Sequence, residues 1–162
     1  MSQLVLGIGD FGASKTLGTE VKTYALGSCV AAIFLCPQTR TVGMIHVALP
    51  DSSINPAKVK ERPGYFADTG IPLLLQEMAR LGCAPNGRGM HVKLVGGASI
   101  MDPNETFSIG KRNLLAIRKI LWSKGLGALA EDVGGNISRT VSVAVNTGEV
   151  TISTPGRADK KL

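Results

Sequence analysis

The chain is poor in the residues and segments that define several large classes of protein. Aromatic residues make up only 4% of its 162 residues, and the absence of interleaved basic and aromatic residues argues against a surface that stacks nucleic-acid bases. No run approaches the roughly 20 apolar residues of a membrane span, and the first residues lack a secretion-signal pattern. Three cysteines are too few, and odd in number, for a disulfide framework. We therefore expect a cytoplasmic protein with no membrane insertion and no nucleic-acid partner.

Motifs for metals and nucleotides are also missing. The three cysteines and two histidines lack the tight C-x₂₋₄-C or H-x₃₋₅-H spacing of a zinc site. Residues 7–12 match G-x-G-x-x-G, but residues 13–18 form a poor helix, and Glu20 comes too early to be the acidic residue of a dinucleotide site. We expect a glycine-rich turn at 7–12, and we predict no cofactor and no metal.

What the chain does contain is typical of one globular domain. Hydrophobic residues make up 44% and charged residues 19%, and the net charge of +6 indicates either a solvated basic surface or an acidic partner. Strand-like runs with helical patterns at 68–81 and 110–124 predict an α+β or mixed α/β class. We assign residues 1–156 to a single domain and 157–162 to a loose basic tail. Residues 51–64 are predicted to be an exposed loop that either gates a site or docks a partner.

One cysteine and one histidine stand in segments that a hairpin would bring together. Cys29 directly precedes the apolar run 30–36, and His46 lies in the run 42–48, beyond a turn-rich connection. If the numbers of opposed residues sum to 77, Cys29 opposes Ala48, and His46 is its diagonal neighbour on the same face. A sum of 75 places the pair directly opposite, and a sum of 76 places it on opposite faces. The residues alone leave the register open.

A thiol beside an imidazole is the pairing that cysteine hydrolases and acyl-transfer enzymes use, because the imidazole takes the thiol proton. Gly27 and Ser28 let the backbone approach a substrate and leave N–H groups near a developing oxyanion. Thr23 is placed to orient the imidazole. The competing interpretation is that Cys29 is a small buried hydrophobe and His46 a structural residue. Ser28 as the nucleophile lacks the G-x-S-x-G elbow.

Short motifs recur in a fixed order through most of the chain. They are Thr23 with 26–30, then 46–50, 93–98 with Met101, 109–113, 132–135 with Arg139, and 147–148. Together they resemble the CheD family of chemoreceptor glutamine deamidases. One departure is Ser138, which stands where the family favours a glycine.

The resemblance implies an α+β fold, a β-sandwich of mixed sheets flanked by helices, similar to cysteine hydrolases of the cytotoxic necrotizing factor type. It implies a catalytic triad of Cys29, His46 and Thr23, and it favours an odd sum for the hairpin register. The implied reaction converts specific Gln side chains of methyl-accepting chemoreceptors to Glu through a Cys thioester, in bacterial chemotaxis. A CheC-type phosphatase is the implied partner. The alternative function is a non-catalytic binding module that regulates such a phosphatase.

Overall fold

The computed structural model describes residues 2–100 and 108–162, so the motif residue Met101 lies outside the described part. The described residues form ten β-strands and three α-helices. The strands are β1 (Ser2–Leu6), β2 (Phe11–Ser14), β3 (Thr19–Leu26), β4 (Val30–Cys36), β5 (Thr41–Val47), β6 (His91–Gly96), β7 (Ala128–Val133), β8 (Arg139–Ala144), β9 (Val150–Ser153) and β10 (Lys160–Lys161). The helices are α1 (Pro56–Glu61), α2 (Ala67–Arg80) and α3 (Ile109–Ser123).

The strands build two mixed sheets of five strands each. The outer sheet has the order β1-β3-β8-β9-β10, and the central sheet has the order β2-β5-β4-β6-β7. One pair in each sheet is parallel, β1 with β3 and β6 with β7, and the remaining pairs are antiparallel. The α+β class and the sandwich of mixed sheets are therefore confirmed.

Two apolar layers hold the fold together, one on each face of the central sheet. The inter-sheet layer includes alternate residues of β3 and β8, such as Val21 and Val141, which pack against Ile33 and Met44 of the central sheet. The sheet–helix layer packs the other face of β4 and β5 against α2 and α3. Because the central sheet is covered on both sides, β4 is a continuous apolar run rather than an alternating one.

The periodicity places both long helices well, and their apolar stripes form the helical side of the sheet–helix layer. The predicted spans 68–81 and 110–124 correspond to α2 and α3, each displaced by one residue at both ends. Ile71 and Leu74 of α2, and Ile117 and Leu121 of α3, are all fully buried. None of the helices in the described residues is long and apolar enough to span a membrane.

Two expectations from the sequence are wrong in part. Residues 51–64 are not an irregular loop, because they contain α1, which Asn55 caps through its side chain with Pro56 in the first turn. The last residues are not loose, because Lys160 and Lys161 pair with β9 as strand β10. A two-residue strand of lysines carries no apolar alternation, so the sequence offers no signal for it.

Candidate active site

A buried hydroxyl–imidazole pair bridges the two sheets. Thr23 lies on β3 of the outer sheet and His46 on β5 of the central sheet, and both are almost fully buried. Thr23 Oγ1 lies 2.6 Å from His46 Nδ1, which is hydrogen-bonding distance. A buried polar pair needs its own hydrogen bonds, and this one lies in a layer whose neighbouring side chains include Val21, Met44 and Val141.

The hydrogen bonds of Thr23 determine the tautomer of His46. Thr23 Oγ1 also lies 2.7 Å from the backbone carbonyl oxygen of Leu6, to which it donates. A threonine hydroxyl has one hydrogen, and a carbonyl oxygen only accepts, so the hydroxyl must accept from the imidazole. His46 therefore carries its proton on Nδ1 and presents a lone pair at Nε2. That Nε2 atom is buried and has no hydrogen-bond partner in the described residues.

The hairpin register places Cys29 near this imidazole. The β4–β5 ladder pairs Val30 with Val47 and Ala31 with His46, so opposed residues sum to 77. The odd register is therefore confirmed, and extending it by one position beyond the ladder puts Cys29 opposite Ala48 and diagonal to His46. Cys29 packs against the inter-sheet layer, the layer that His46 enters to reach Thr23. Both side chains thus lie on one face of the central sheet.

The spacing of Thr23 and Cys29 follows from the path of the chain between the sheets. Strand β3 has an irregular register with β8 after Thr23, and Ala25 there adopts a positive φ of 55°. Residues 27–29 then cross to the central sheet, where β4 begins at Val30. The six-residue step from Thr23 to Cys29 thus carries the chain from the outer sheet to the start of the central sheet.

The backbone after β6 holds the cysteine segment in place. Gly97 N donates to the carbonyl of Cys29 at 2.9 Å, and Ala98 N donates to that of Gly27 at 2.8 Å. Gly96 has a φ of +116°, and a Cβ on it would lie 2.3 Å from the Cys29 carbonyl oxygen. Only glycine permits both the conformation and this approach. The Gly-Gly pair at 96–97 therefore fixes the main chain around the thiol.

The glycine-rich turn at 7–12 holds the histidine in a corresponding way. Gly9 N donates to the His46 carbonyl at 2.9 Å, and His46 N donates to the Asp10 carbonyl at 3.0 Å. The Asp10 carboxylate in turn accepts from Arg62 at 2.8 Å. Strand β2 follows the turn directly and no helix does, so the glycine-turn interpretation is confirmed and a dinucleotide fingerprint is excluded.

Burial governs the ionisation of the thiol and the imidazole. It lowers the pKa of His46 from its usual 6.5 to about 4, although the Asp10 carboxylate opposes this change. Burial also raises the pKa of the Cys29 thiol, which its own backbone N–H lowers to a smaller extent. At neutral pH both groups are therefore uncharged in the unliganded protein. These ionisation states disfavour a preformed thiolate–imidazolium pair and suit a thiol that gives its proton to a neutral base.

Segment 51–66 packs against the turn that holds His46. Besides its bond to Asp10, Arg62 donates to the carbonyl of Ile8. A Cβ on Gly64 would lie 2.4 Å from the carbonyl oxygen of Gly9, and Asp68 of α2 accepts a hydrogen bond from the Ser52 backbone. The Asp68 carboxylate thus ties the segment to α2. These contacts make the segment a wall of the site.

Sequence reasoning named Cys29, His46 and Thr23; the structure joins Thr23 to His46 by a hydrogen bond and packs Cys29 against the same inter-sheet layer. Sequence reasoning missed Asp10 and Arg62, because a salt bridge between residues 52 positions apart in the chain leaves no local pattern. Ser138 has no positive φ, so the turn before β8 does not require the glycine that the family favours there. Among the described residues, no group of three or more His, Cys, Asp and Glu side chains is placed to hold a metal ion.

Known proteins resemble this chain along its whole length. A family model described as CheD chemotactic sensory transduction matches residues 48–154. The chain is 60% identical to a probable chemoreceptor glutamine deamidase CheD of Syntrophotalea carbinolica, over the full length of both. It is 41% identical to a probable chemoreceptor glutamine deamidase CheD 1 of Syntrophus aciditrophicus, again over both full lengths. It is 35% identical to the chemoreceptor glutamine deamidase CheD of Thermotoga maritima, over 96% of this chain and 94% of that protein.

Proposed function

The chain belongs to the CheD family, and from this premise we propose that it is a cysteine-dependent protein-glutamine deamidase that acts on chemoreceptors. The names of its relatives support the activity and the class of substrate. The Thr23–His46 pair beside Cys29 supports the chemistry. No contact within residues 2–100 and 108–162 favours the alternative of a binding module without catalysis.

The single observation that carries the proposal is the oriented, unpartnered Nε2 of His46. A purely structural histidine in a buried layer would use both ring nitrogens, because an unpaired buried polar atom costs about 1–3 kcal/mol. Here Nδ1 is satisfied by Thr23 and Nε2 is not. Cys29 packs against the same inter-sheet layer, and a thiol and an unoccupied imidazole lone pair on one face are what general-base activation requires.

The proposed reaction starts from the neutral pair. The Cys29 sulfur attacks the side-chain carbonyl carbon of a substrate Gln while its proton passes to His46 Nε2. Backbone N–H groups around residues 27–29 stabilise the oxyanion. His46 then protonates the amide nitrogen, the C–N bond breaks, and ammonia leaves a thioester. Water, deprotonated by the same imidazole, hydrolyses the thioester, so that Gln and water yield Glu and ammonia. Thr23 holds the imidazole tautomer throughout.

We place the reaction in the cytoplasm, because all three cysteines are unpaired in the structure and a reducing compartment keeps a nucleophilic thiol active. The net charge of +6 suits an acidic substrate surface. A CheC-type phosphatase stays a predicted partner. Its binding is measurable by titrating the purified phosphatase into this protein.

The experiment is deamidation of a chemoreceptor signalling fragment, read as the peptide mass increase that marks conversion of Gln to Glu. The native protein is compared with Cys29→Ala and with Cys36→Ala, which removes a second thiol at the other end of the same strand. We expect conversion with the native protein and Cys36→Ala and none with Cys29→Ala. Conversion by Cys29→Ala at the native rate would exclude the thioester route, and no conversion by the native protein on its cognate receptors would exclude the deamidase.

A further inference from the structure

An amide side chain outside the triad joins the two segments that carry Cys29 and His46. Asn113 lies in the first half of α3 and is fully buried, at 0% exposure. Its Nδ2 atom donates to the Ser28 carbonyl at 3.0 Å and to the Ala48 carbonyl at 3.1 Å. Ser28 immediately precedes the thiol residue, and Ala48 stands two positions after the imidazole.

The two hydrogen bonds of Asn113 lie at the open end of the β4–β5 hairpin, just beyond its ladder. The last ladder pair of β4 and β5 is Val30 with Val47, so Cys29 and Ala48 lie just beyond the regular inter-strand hydrogen bonds. From there one segment leads back to the outer sheet and the other leads into residues 51–66. The two donors on a single nitrogen replace the missing ladder and set the separation of the strand ends.

Helix α3, which carries Asn113, also packs against the backbone segment that binds the Cys29 carbonyl. A Cβ on Gly110, one turn earlier in α3, would lie 2.4 Å from the carbonyl oxygen of Gly97. Gly97 itself donates to the Cys29 carbonyl. The start of α3, the end of β6 and the open end of the hairpin therefore form one packed unit, so the amide is rigidly placed.

The chemistry of the position requires an amide. Two carbonyl acceptors need two donors, which the –NH₂ group supplies without charge, whereas Asp supplies none and Ser only one. The Oδ1 atom of Asn113 is buried without a hydrogen-bond partner in the described residues. Such an acceptor disfavours folding, so the side chain is not the one that stability alone would choose.

We propose that Asn113 is a positioning residue that holds Cys29 at the distance and angle from His46 that proton transfer requires. This inference rests on the proposed function, because it assigns Asn113 a part in that same reaction. Loss of the two donors lets the strand ends separate while the hairpin ladder itself survives. A misplacement of about 1 Å at reacting groups costs about 10²-fold in rate.

The test compares Asn113→Leu, which has a similar volume and no donors, with Asn113→Asp, which has a similar shape and no donors when ionised. Ile117→Val and Leu121→Ala are the controls, because both remove buried apolar groups from the same helix and layer while the two hydrogen bonds of Asn113 remain. Each variant is assayed for kcat and KM with the receptor fragment, and for melting temperature. Alkylation of Cys29 by iodoacetamide is followed against pH by peptide mass spectrometry.

We expect both Asn113 variants to lose about 10²-fold in kcat with KM little changed. The alkylation midpoint of Cys29 should fall toward that of an ordinary cysteine, because the thiol leaves its partly buried position. The controls should keep the native kcat and the native alkylation midpoint, even where their melting temperatures fall as far as those of the Asn113 variants.

Three results would overturn the proposal. They are an unchanged kcat and midpoint in the Asn113 variants, an equal loss of kcat in a control of matched stability, and failure of both Asn113 variants to fold. The last result would make the residue a folding determinant instead. If the native protein does not deamidate the fragment, the proposed function fails, and the alkylation midpoints still show whether Asn113 holds Cys29.

Discussion

The two ends of the β4–β5 hairpin contain similar groups in opposite arrangements. At the open end, the partly exposed Cys29 packs against the same inter-sheet layer as His46, which a threonine orients. At the turn end, Thr39 Oγ1 donates to Cys36 Sγ at 3.2 Å and lies 3.5 Å from Cys83 Sγ. Both of those thiols are buried, at 3% and 6% exposure. Each end thus combines thiol and threonine, but among the described residues a hydrogen bond joins the threonine to a histidine at the open end alone.

The difference shows what converts a cysteine from a packing residue into a candidate nucleophile. At the turn end, the Thr39 hydroxyl bonds the sulfur atoms directly, and burial closes them off from substrates. Two opposed effects act on the pKa of Cys36: burial raises it, but hydrogen bonds, chiefly from Thr39, outweigh burial, so that the net pKa is lowered. The pKa of Cys83 is raised, mainly by burial. A lowered pKa without access to substrate gives no catalytic site.

Removal of the His46 imidazole should have the largest effect on the rate of deamidation, because it leaves Cys29 without its proposed base. His46→Gln keeps a polar side chain that can still hydrogen-bond to Thr23 but cannot take a proton. We expect deamidation of the receptor fragment to fall by about 10³-fold, because general-base catalysis is lost. The measurement is kcat/KM by peptide mass spectrometry. A His46→Gln protein within tenfold of the native rate would show that another group activates Cys29.

Removal of the hydroxyl that orients the base should have the next largest effect. Thr23→Val keeps the shape of the side chain but leaves the Nδ1–H of His46 without an acceptor. Without the acceptor the proton can move to Nε2, the tautomer that cannot act as a base, and we expect a loss of about 10²-fold in kcat. Thr23→Ser restores the hydroxyl and should recover most of the rate. Equal kcat in the Val and Ser variants would contradict the tautomer argument.

A fall in pH should lower the free energy of unfolding through His46, which lies near the open end of the hairpin. The pKa of His46 is about 4 when folded, against the usual 6.5, so between these values the unfolded chain binds more protons. The free energy of unfolding therefore decreases as pH falls through this window, by about 3 kcal/mol in total. Urea denaturation at pH 7 and at pH 4 measures the loss.

His46→Gln is the control for that acid effect, because carboxyl groups titrate equally in both proteins. The difference in unfolding free energy between native protein and variant should change by about 3 kcal/mol across the window. A difference that stays constant with pH would mean that His46 is not buried neutral in the folded state. Cys83→Ala, at the turn end, should keep the native dependence on pH.

The fold was predictable where apolar periodicity is long and regular. Helices α2 and α3 have stripes of several buried residues, so their positions followed from spacing alone. Helix α1 has only six residues and none of them is buried, so it left no such stripe. Strand β10 forms by hydrogen-bonding to the edge strand β9. The sequence of residues 157–162 carries no information about this pairing.

The site was predictable only as a set of residue types. Spacing showed that Cys29 and His46 could meet in an odd register, but the connection at 37–40 does not determine which register forms. The tautomer of His46 depends on the backbone carbonyl of Leu6, to which Thr23 donates. Because every residue has such a carbonyl, no sequence pattern identifies this acceptor. Asp10 is likewise a turn residue in sequence and becomes a neighbour of His46 only through β2 pairing with β5.

The smallest effect should come from the turn end itself. Cys83→Ala removes a buried thiol and its contact with Thr39, so we expect a loss of about 1 kcal/mol in unfolding free energy. We expect no change in kcat, because the length of the hairpin separates this thiol from His46. Urea denaturation and the deamidation assay measure the two quantities on one preparation. A fall in kcat comparable to that of Thr23→Val would mean that the turn end is coupled to the reaction, and the two cysteine environments would then form one functional unit along the hairpin.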